Sequence, residues 1–147
     1  MKSLFRILVL LFAVSLTAQN TYLHCGKLID TKSGKVLNEK TIVISGSKII
    51  SVESGFVNPK NSKDSIVDLK SKIVMPGLID MHVHIEGETN PKSYLQDYTL
   101  NDADVAFNSI RYAEVTLMSG FTTVRDLGGS GVNVSLRNAI NANKVEG

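Results

Sequence analysis

The chain has 147 residues, with 16 Lys and Arg against 14 Asp and Glu, three His, one Cys and no Trp. This length allows one ordinary domain or two small ones, and a hydrophobic content of 43% is enough for a packed core. A complete (β/α)8 barrel is excluded, because such barrels typically need about 250 residues. The single Cys25, which we interpret as a small buried residue, excludes a disulfide framework. A net charge of +2 is too small to indicate a nucleic-acid partner.

The first eighteen residues have the layout of a secretory signal peptide. Lys2 and Arg6 form a basic start, Ile7 to Val14 is an unbroken apolar run, and Ala18 ends a stretch of small residues. We therefore predict cleavage after Ala18 and export to the periplasm or the medium, with no membrane attachment after cleavage. The apolar run is shorter than the roughly 20 residues of a membrane-spanning helix. The alternatives are an uncleaved N-terminal anchor and a buried core helix.

Charge is unevenly distributed along the rest of the chain. Residues 19–72 contain nine Lys and five acidic residues, whereas residues 73–147 contain five basic and nine acidic residues. This change near residue 72 predicts a domain boundary between an N-terminal β-module at 19–72 and a second region at 73–147. We interpret the Lys excess of the module as a solvated surface rather than a binding patch.

Residues 19–72 have the pattern of short strands separated by turns. The first predicted strand is Tyr22–Ile29. Two β-branched runs, Thr41–Ser45 and Lys48–Val52, are separated only by Gly46 and Ser47, which predicts a hairpin with a type II′ turn. A further run with alternating faces follows at 65–69. Together these runs predict a small antiparallel β-module.

The second region changes to an alternation of strands and helices. Its first strand is almost continuously apolar, which is typical of a strand covered on both faces. The first predicted element is a strand region at 73–75 and 78–84, interrupted by Pro76 and Gly77. A helix from a cap at Asn101 or Asp102 to Gly120, a strand at Phe121–Val124 and a helical face over 132–140 follow. This order predicts an α/β architecture with parallel strands joined by crossover helices.

The most informative residues are His82 and His84, at the end of the first predicted strand of this region. Residues two apart on a strand point to the same side, so both imidazoles face one way. Two neutral imidazoles form half of a site for zinc, iron, nickel or manganese. Taken alone, the pair is better explained as two histidines satisfied by hydrogen bonds at a strand end. Asp80 either orients one imidazole or is an ordinary strand-end carboxylate.

Three ordered segments resemble the metal-dependent amidohydrolase superfamily. The run Pro76-Gly77-Leu78-Ile79-Asp80-Met81-His82-Val83-His84 is similar to the signature that opens the superfamily's (β/α)8 barrel. A second similarity is to the superfamily's N-terminal β-sandwich segment, and it lies at residues 26–30, 42–44 and 48–52. Residues 120–129 are similar to the second barrel strand of the branch containing imidazolonepropionase-like proteins and Xaa-Pro dipeptidases. The resemblance covers residues 22–147 and implies a small β-sandwich module followed by the start of a TIM-like barrel.

The resemblance also implies a reaction, namely hydrolysis of an amide or cyclic amide C–N bond by a water that a divalent metal activates. His82 and His84 match the two metal-binding histidines of the superfamily's first barrel strand. The implied metal is zinc, as one or two ions. The remaining site residues of the superfamily are a lysine or glutamate, two later histidines and an aspartate that serves as general base, and no position here matches them. The third histidine, His24, is interpreted as structural.

Other polar residues near the histidine pair have two interpretations each. Arg125 and Asp126, at the end of the second strand, either bind substrate and support the metal ligands or form an ion pair that anchors the following glycine loop. Glu86 and Glu88 either supply carboxylate ligands or belong to a solvated loop. In both cases we favour the second interpretation.

Only 63 residues follow His84, enough for about two of the eight βα units of a barrel. We therefore expect the sequence to be the N-terminal part of a longer exported hydrolase, truncated before the general base. The favoured activity is dipeptidase-like, with a dipeptide or other small-molecule substrate and a homo-oligomeric full-length enzyme. The alternatives are deacetylase, deaminase or dihydroorotase-like chemistry, and a non-catalytic secreted β-module or metal-binding fragment.

Overall fold

The computed structural model describes residues 19–147, so the predicted signal peptide lies outside the described residues. The described strands are β1 (Asn20–Asp30), β2 (Lys35–Ser45), β3 (Lys48–Ser54), β4 (Ser65–Val74), β5 (Leu78–Val83) and β6 (Phe121–Asp126). The described helices are α1 (Ser93–Thr99), α2 (Asp102–Met118) and α3 (Val132–Asn141). None of these three helices combines the length and the apolar character needed to cross a membrane.

The chain divides into two compact units, one ending at Pro76 and one beginning at Gly77. The division falls later than the change in charge near residue 72, because β4 continues as far as Val74. The predicted strand at residues 65–69 is therefore only the first half of β4. Strands and helices together form a mixed α/β chain, as predicted.

The first unit is a four-stranded sheet in the order β3-β2-β1-β4. β1 pairs antiparallel with β2, and β2 pairs antiparallel with β3. β4 runs parallel to β1, so the prediction of a purely antiparallel module is wrong at this edge. The reason is the long connection at residues 55–64, which carries the chain back so that Ser65 pairs with Thr21 at the start of β1.

The predicted hairpin between β2 and β3 is confirmed. Lys48 pairs with Ser45, and only Gly46 and Ser47 lie between the two strands. Gly46 has a φ of +58°, as the first central position of a type II′ turn requires. β2 begins earlier than predicted, because its first half pairs with the second half of β1 as far as Lys35 opposite Asp30. That half lacks the β-branched run that marks the second half.

One face of the first sheet carries an apolar core. Cys25, Leu28 and Ile42 are buried there, and Leu23, Leu37, Ile44 and Val74 pack against them. Cys25 is fully buried and unpaired, as predicted, and burial raises the pKa of its thiol. This thiol is therefore a small apolar side chain of the core rather than a nucleophile.

The opposite face of the sheet is covered by the segment after β3. Thr41, which is fully buried, donates its hydroxyl to the Gly55 carbonyl at 2.7 Å and accepts the Val57 N–H at 2.9 Å. The Nε2 atom of His24 lies 2.9 Å from the Val57 carbonyl oxygen. Because a carbonyl can only accept, Nε2 carries the proton in this contact. His24 therefore holds the covering segment on the sheet, which is the structural role predicted for it.

The second unit contains β5 and β6, which pair in parallel as predicted. Helix α2 connects them and packs against α3 and β6. Its cap is Asn101, whose side chain accepts the N–H groups of Ala103 and Asp104 while the Asp104 carboxylate accepts the Asn101 N–H. Gly120 follows the helix with a φ of +96°, as expected for the residue after the C-terminus. The short helix α1 was not predicted, because its seven residues are too few to establish a helical period.

The expectation that the first strand of this unit is covered on both faces is wrong for the described residues. Ile79 and Met81 of β5 are 62% and 59% exposed. The reason is that β6 is the only strand among residues 19–147 that pairs with β5. The continuous apolar run is therefore not accounted for by contacts within the described part of the chain.

Gly26 provides a test of the parallel β1–β4 pairing. The register of this pair shifts between Cys25 and Lys27, and a Cβ atom on Gly26 would collide with the Lys70 carbonyl oxygen. We predict that Gly26→Ala lowers the free energy of unfolding by more than about 2 kcal/mol, because the strand backbones must move apart. Urea unfolding followed by circular dichroism measures this loss. Lys27→Ala, at an exposed neighbouring position, is the control, and equal stability of the two variants would contradict the close approach.

Candidate metal centre

The two histidines of the predicted pair lie together at the carboxyl end of β5. His82 belongs to the strand, and His84 follows directly after its last residue, Val83. Both side chains are exposed, and their ring centroids are 5.4 Å apart with an interplanar angle of 68°. The structure thus brings the two imidazoles to one side of one strand end.

This separation fits two ligands of a single metal ion. A ring nitrogen bound at about 2.1 Å places the ring centre about 3.2 Å from the ion, so two imidazoles on one tetrahedral ion have centres about 5 Å apart. No side chain that the structure describes forms a hydrogen bond with either ring. The interpretation of the pair as histidines satisfied by hydrogen bonds is therefore not supported, and the donor set fits a divalent metal.

The Asp80 carboxylate contacts backbone rather than an imidazole. Its Oδ1 atom accepts the N–H of His82 at 3.0 Å. Of the two predicted roles, the structure therefore shows the strand-end carboxylate. Asp80 stabilises the backbone that carries His82 and leaves the imidazole free.

Asp126 connects the ends of β5 and β6. Its Oδ2 atom accepts the Ile85 N–H at 3.1 Å, and its Oδ1 atom accepts the Gly128 N–H at 3.1 Å. The predicted anchor of the glycine loop was an ion pair between Arg125 and Asp126, and the contacts that the structure describes for Asp126 are with backbone instead. The carboxylate holds the loop through backbone N–H groups, whereas the predicted partner Arg125 is exposed at the end of β6.

Glu86 forms a second connection between the same segments. Its two carboxylate oxygens accept the N–H groups of Ser130 and Asn133, each at 2.7 Å. Burial raises the pKa of this carboxyl group, and the hydrogen bonds from Ser130 and Asn133 lower it by more, so that its pKa lies below the ordinary value. Glu86 is therefore a charged acceptor committed to backbone, whereas Glu88 is an exposed residue of the loop.

The role of Glu86 follows from the way α3 begins. Gly131 stands at the N-cap position with a φ of +107° and provides no side-chain acceptor. The first N–H groups of a helix need acceptors and carry a positive partial charge. The Glu86 carboxylate, which lies outside the helix, supplies the acceptors and a compensating negative charge. Sequence reasoning missed this contact. The available signal was a helix start at Gly131 without a capping side chain, which required an acceptor from elsewhere.

Other features of the second unit add no further ligand. A cavity of about 560 Å³ lies between α2, β6 and α3, and neither His82 nor His84 lines it. Among residues 19–147, no group of three or more His, Cys, Asp and Glu side chains is placed to hold a metal ion. The described residues therefore present two imidazoles at an open strand end.

Comparison with known proteins identifies the family. Residues 73–145 match the model of the amidohydrolase family. A Xaa-Pro dipeptidase crystallised with methionine in its active site is 42% identical over 88% of this chain and 32% of its own chain, with a TM-score of 0.79. A prolidase complexed with N-methylphosphonate-L-proline is 31% identical, and the ochratoxinase of A. niger 30% identical, each over 88% of this chain and 30% of its own, with TM-scores of 0.71 and 0.70.

A curated relative matches a shorter segment of the chain. The 5-methylthioadenosine/S-adenosylhomocysteine deaminase of Bacillus thuringiensis (strain Al Hakam) is 30% identical over 67 residues, which are 46% of this chain and 15% of the deaminase. The chain thus spans about a third of the length of the solved structures that it matches. It belongs to the amidohydrolase family, which confirms the predicted resemblance to the superfamily and to its Xaa-Pro dipeptidase branch.

The lowered pKa of Glu86 predicts a pH-dependent contribution to stability. The contribution is present above the ordinary pKa of Glu, about 4.3, and is lost as the pH falls through the lower folded-state value. We predict that Glu86→Gln costs about 1.5 kcal/mol at neutral pH, because charge-assisted hydrogen bonds to α3 are weakened. The cost should shrink as the pH falls below that range.

Hydrogen exchange of the α3 amides, in EDTA so that metal plays no part, measures this difference. Glu88→Gln removes an exposed charge from the same loop and is the matched control. A cost for Glu86→Gln that is independent of pH would contradict the assignment.

Proposed function

We propose that this chain carries the first metal-binding strand of an exported, metal-dependent amidohydrolase, with His82 and His84 as ligands of a divalent ion. The observation that carries the proposal is the placement of two exposed imidazoles, 5.4 Å apart, at the carboxyl end of a parallel strand. That end of parallel strands is where barrel enzymes hold their active sites. Zinc is the expected metal because it prefers imidazole ligands in a tetrahedral arrangement.

Of the possible substrates, we favour one that resembles a dipeptide. The likeness to the Xaa-Pro dipeptidase structure extends over 88% of the chain at 42% identity, whereas the likeness to the deaminase extends over 46% at 30%. We therefore propose hydrolysis of the C–N bond of a peptide or related amide. Export, which we predict from residues 1–18, also favours a peptide-like substrate.

The proposed roles of this chain's own residues are limited to holding and orienting. His82 and His84 bind through neutral ring nitrogens, and Asp80 stabilises the backbone that carries His82. A divalent ion bound there supplies a Lewis acid and a water whose pKa is lowered towards neutrality. Asp126 keeps the carboxyl ends of β5 and β6 together at this edge. The four-stranded sheet corresponds to the family's N-terminal module, and β5 and β6 to its first two barrel strands.

Deamination is the second candidate, and a specific observation supports it. A curated relative that matches this chain is named a deaminase, and the match includes nearly half of the chain. Deamination and peptide hydrolysis both break a C–N bond with an activated water, so the histidine pair does not distinguish them.

The proposal also includes the organisation of the enzyme. We propose a homo-oligomeric enzyme whose chain is divided into a signal peptide, a β-module and barrel units.

Metal binding by the histidine pair is the direct test of this proposal. We predict that the 147-residue chain binds one zinc ion and that His82→Ala or His84→Ala weakens binding at least about tenfold, because each removes one of two imidazole ligands. Competition with a chromophoric chelator measures the affinity. Glu88→Gln should bind zinc as the wild type does, and equal affinity of wild type and both histidine variants would overturn the assignment.

We further predict that the 147-residue chain has no hydrolase activity of its own. Its described residues provide two imidazoles but no cluster of three or more potential metal ligands, and no match to the family's general base. The assay uses dipeptides and cyclic amides with added zinc, and His82→Ala is the control. Turnover above that control would contradict this prediction.

A further inference from the structure

The residues on both sides of His84 are attached to the loop that follows β6. Before it, the Val83 carbonyl accepts the Leu127 N–H at 3.3 Å. After it, the Ile85 N–H is donated to Asp126, and the Glu86 carboxylate accepts two N–H groups at the start of α3. His84 is therefore the free side chain in the middle of a segment whose backbone is held at both ends.

The imidazole of His84 also lies close to that loop. A Cβ atom on Gly128 would be 3.6 Å from Cε1 of His84, which is ordinary van der Waals contact. Gly128 is held in place by the same carboxylate that holds Ile85, because the two oxygens of Asp126 accept one N–H from each. One side chain thus fixes the backbone beside His84 and the glycine that lies near its ring.

We infer that Asp126 and Glu86 are positioning residues that hold the imidazole of His84 beside that of His82 before any metal binds. In its metal-binding part this inference rests on the proposed function. A carboxylate that contacted a ring would act on the ring directly, whereas these two act through the backbone on either side of it. They hold the two ring centres 5.4 Å apart, a separation that two ligands of one ion can have.

A merely structural role predicts a different result. If the two carboxylates only stabilise the loop and α3, a variant that is still folded keeps its ring geometry and its zinc affinity. If they position His84, a folded variant loses both. The distinction therefore requires measurements on folded protein below its unfolding temperature.

Gly129→Ala is the sharpest variant, because it removes no charge and no hydrogen-bonding group. Its Cβ atom would lie 2.5 Å from Oε1 of Glu86, so the carboxylate has to leave its place. Gly87→Ala is the matched control in the segment after His84, since a Cβ atom there meets nothing within 4 Å. Asp126→Asn retains one acceptor oxygen, and the milder Glu86→Gln serves if either of the other variants does not fold.

The experiment uses the 147-residue chain with two readouts. The first is the nuclear Overhauser effect between the ring protons of His82 and His84 in the metal-free protein. The second is zinc affinity by chelator competition. Circular dichroism at the working temperature establishes that each variant is folded.

We expect Gly129→Ala and Asp126→Asn to lose the ring-to-ring effect and to bind zinc about tenfold more weakly. Gly87→Ala should retain the wild-type value of both. Folded variants with an unchanged ring-to-ring effect and unchanged affinity would overturn the inference and leave the proposed function intact. If the wild type binds no zinc, the proposed function fails, and the ring-to-ring effect in the metal-free protein still decides the inference.

Discussion

The arrangement of the second unit depends on carboxylates that accept backbone N–H groups between two parallel strands. Where a parallel ladder ends, the N–H groups of both strands lose their partners, and each unsatisfied group that is shielded from water costs free energy. Asp126 and Glu86 accept four such groups from the segments that follow β5 and β6. Because these segments also carry His84 and the start of α3, one set of contacts sets the strand ends, the glycine loop and the histidine pair.

The same contacts hold the carboxylates that lie near the two histidines in the chain. A carboxylate whose two oxygens each accept a backbone N–H group is held in one orientation by these bonds, although each oxygen keeps a further lone pair. Asp126 and Glu86 are both in this state, and Asp80 accepts the N–H of His82. Among the described residues neither imidazole has such a backbone contact, and both rings are exposed at this edge. In the proposed metal site, the groups that bind would be separate from the groups that hold, as in other preorganised metal sites.

Much of the fold was predictable, because the signals were local. The hairpin at Gly46, the cap at Asn101 and the helix end at Gly120 each depend on a few adjacent residues and were predicted correctly. The parallel β1–β4 pairing was not, since it depends on where a long connection returns the chain. The early half of β2 and the seven-residue α1 were missed because neither has a period long enough to recognise. The expectation that both faces of β5 are buried was wrong among the described residues. Burial depends on neighbouring elements, which the sequence of one strand does not specify.

For the candidate site, the sequence by itself determined which side chains stand together at the strand end. The two-residue spacing of His82 and His84 places both imidazoles on one side of a strand, and the surrounding motif determines the amidohydrolase family. Only the tertiary structure decided how the pair is held. Glu86 and the amides that it accepts are 44 and 47 residues apart in the chain, and Asp126 and Ile85 are 41 apart. Contacts over such separations leave no periodic pattern in a sequence. They arise when parallel pairing brings two strand ends to one edge, where unpaired N–H groups require acceptors.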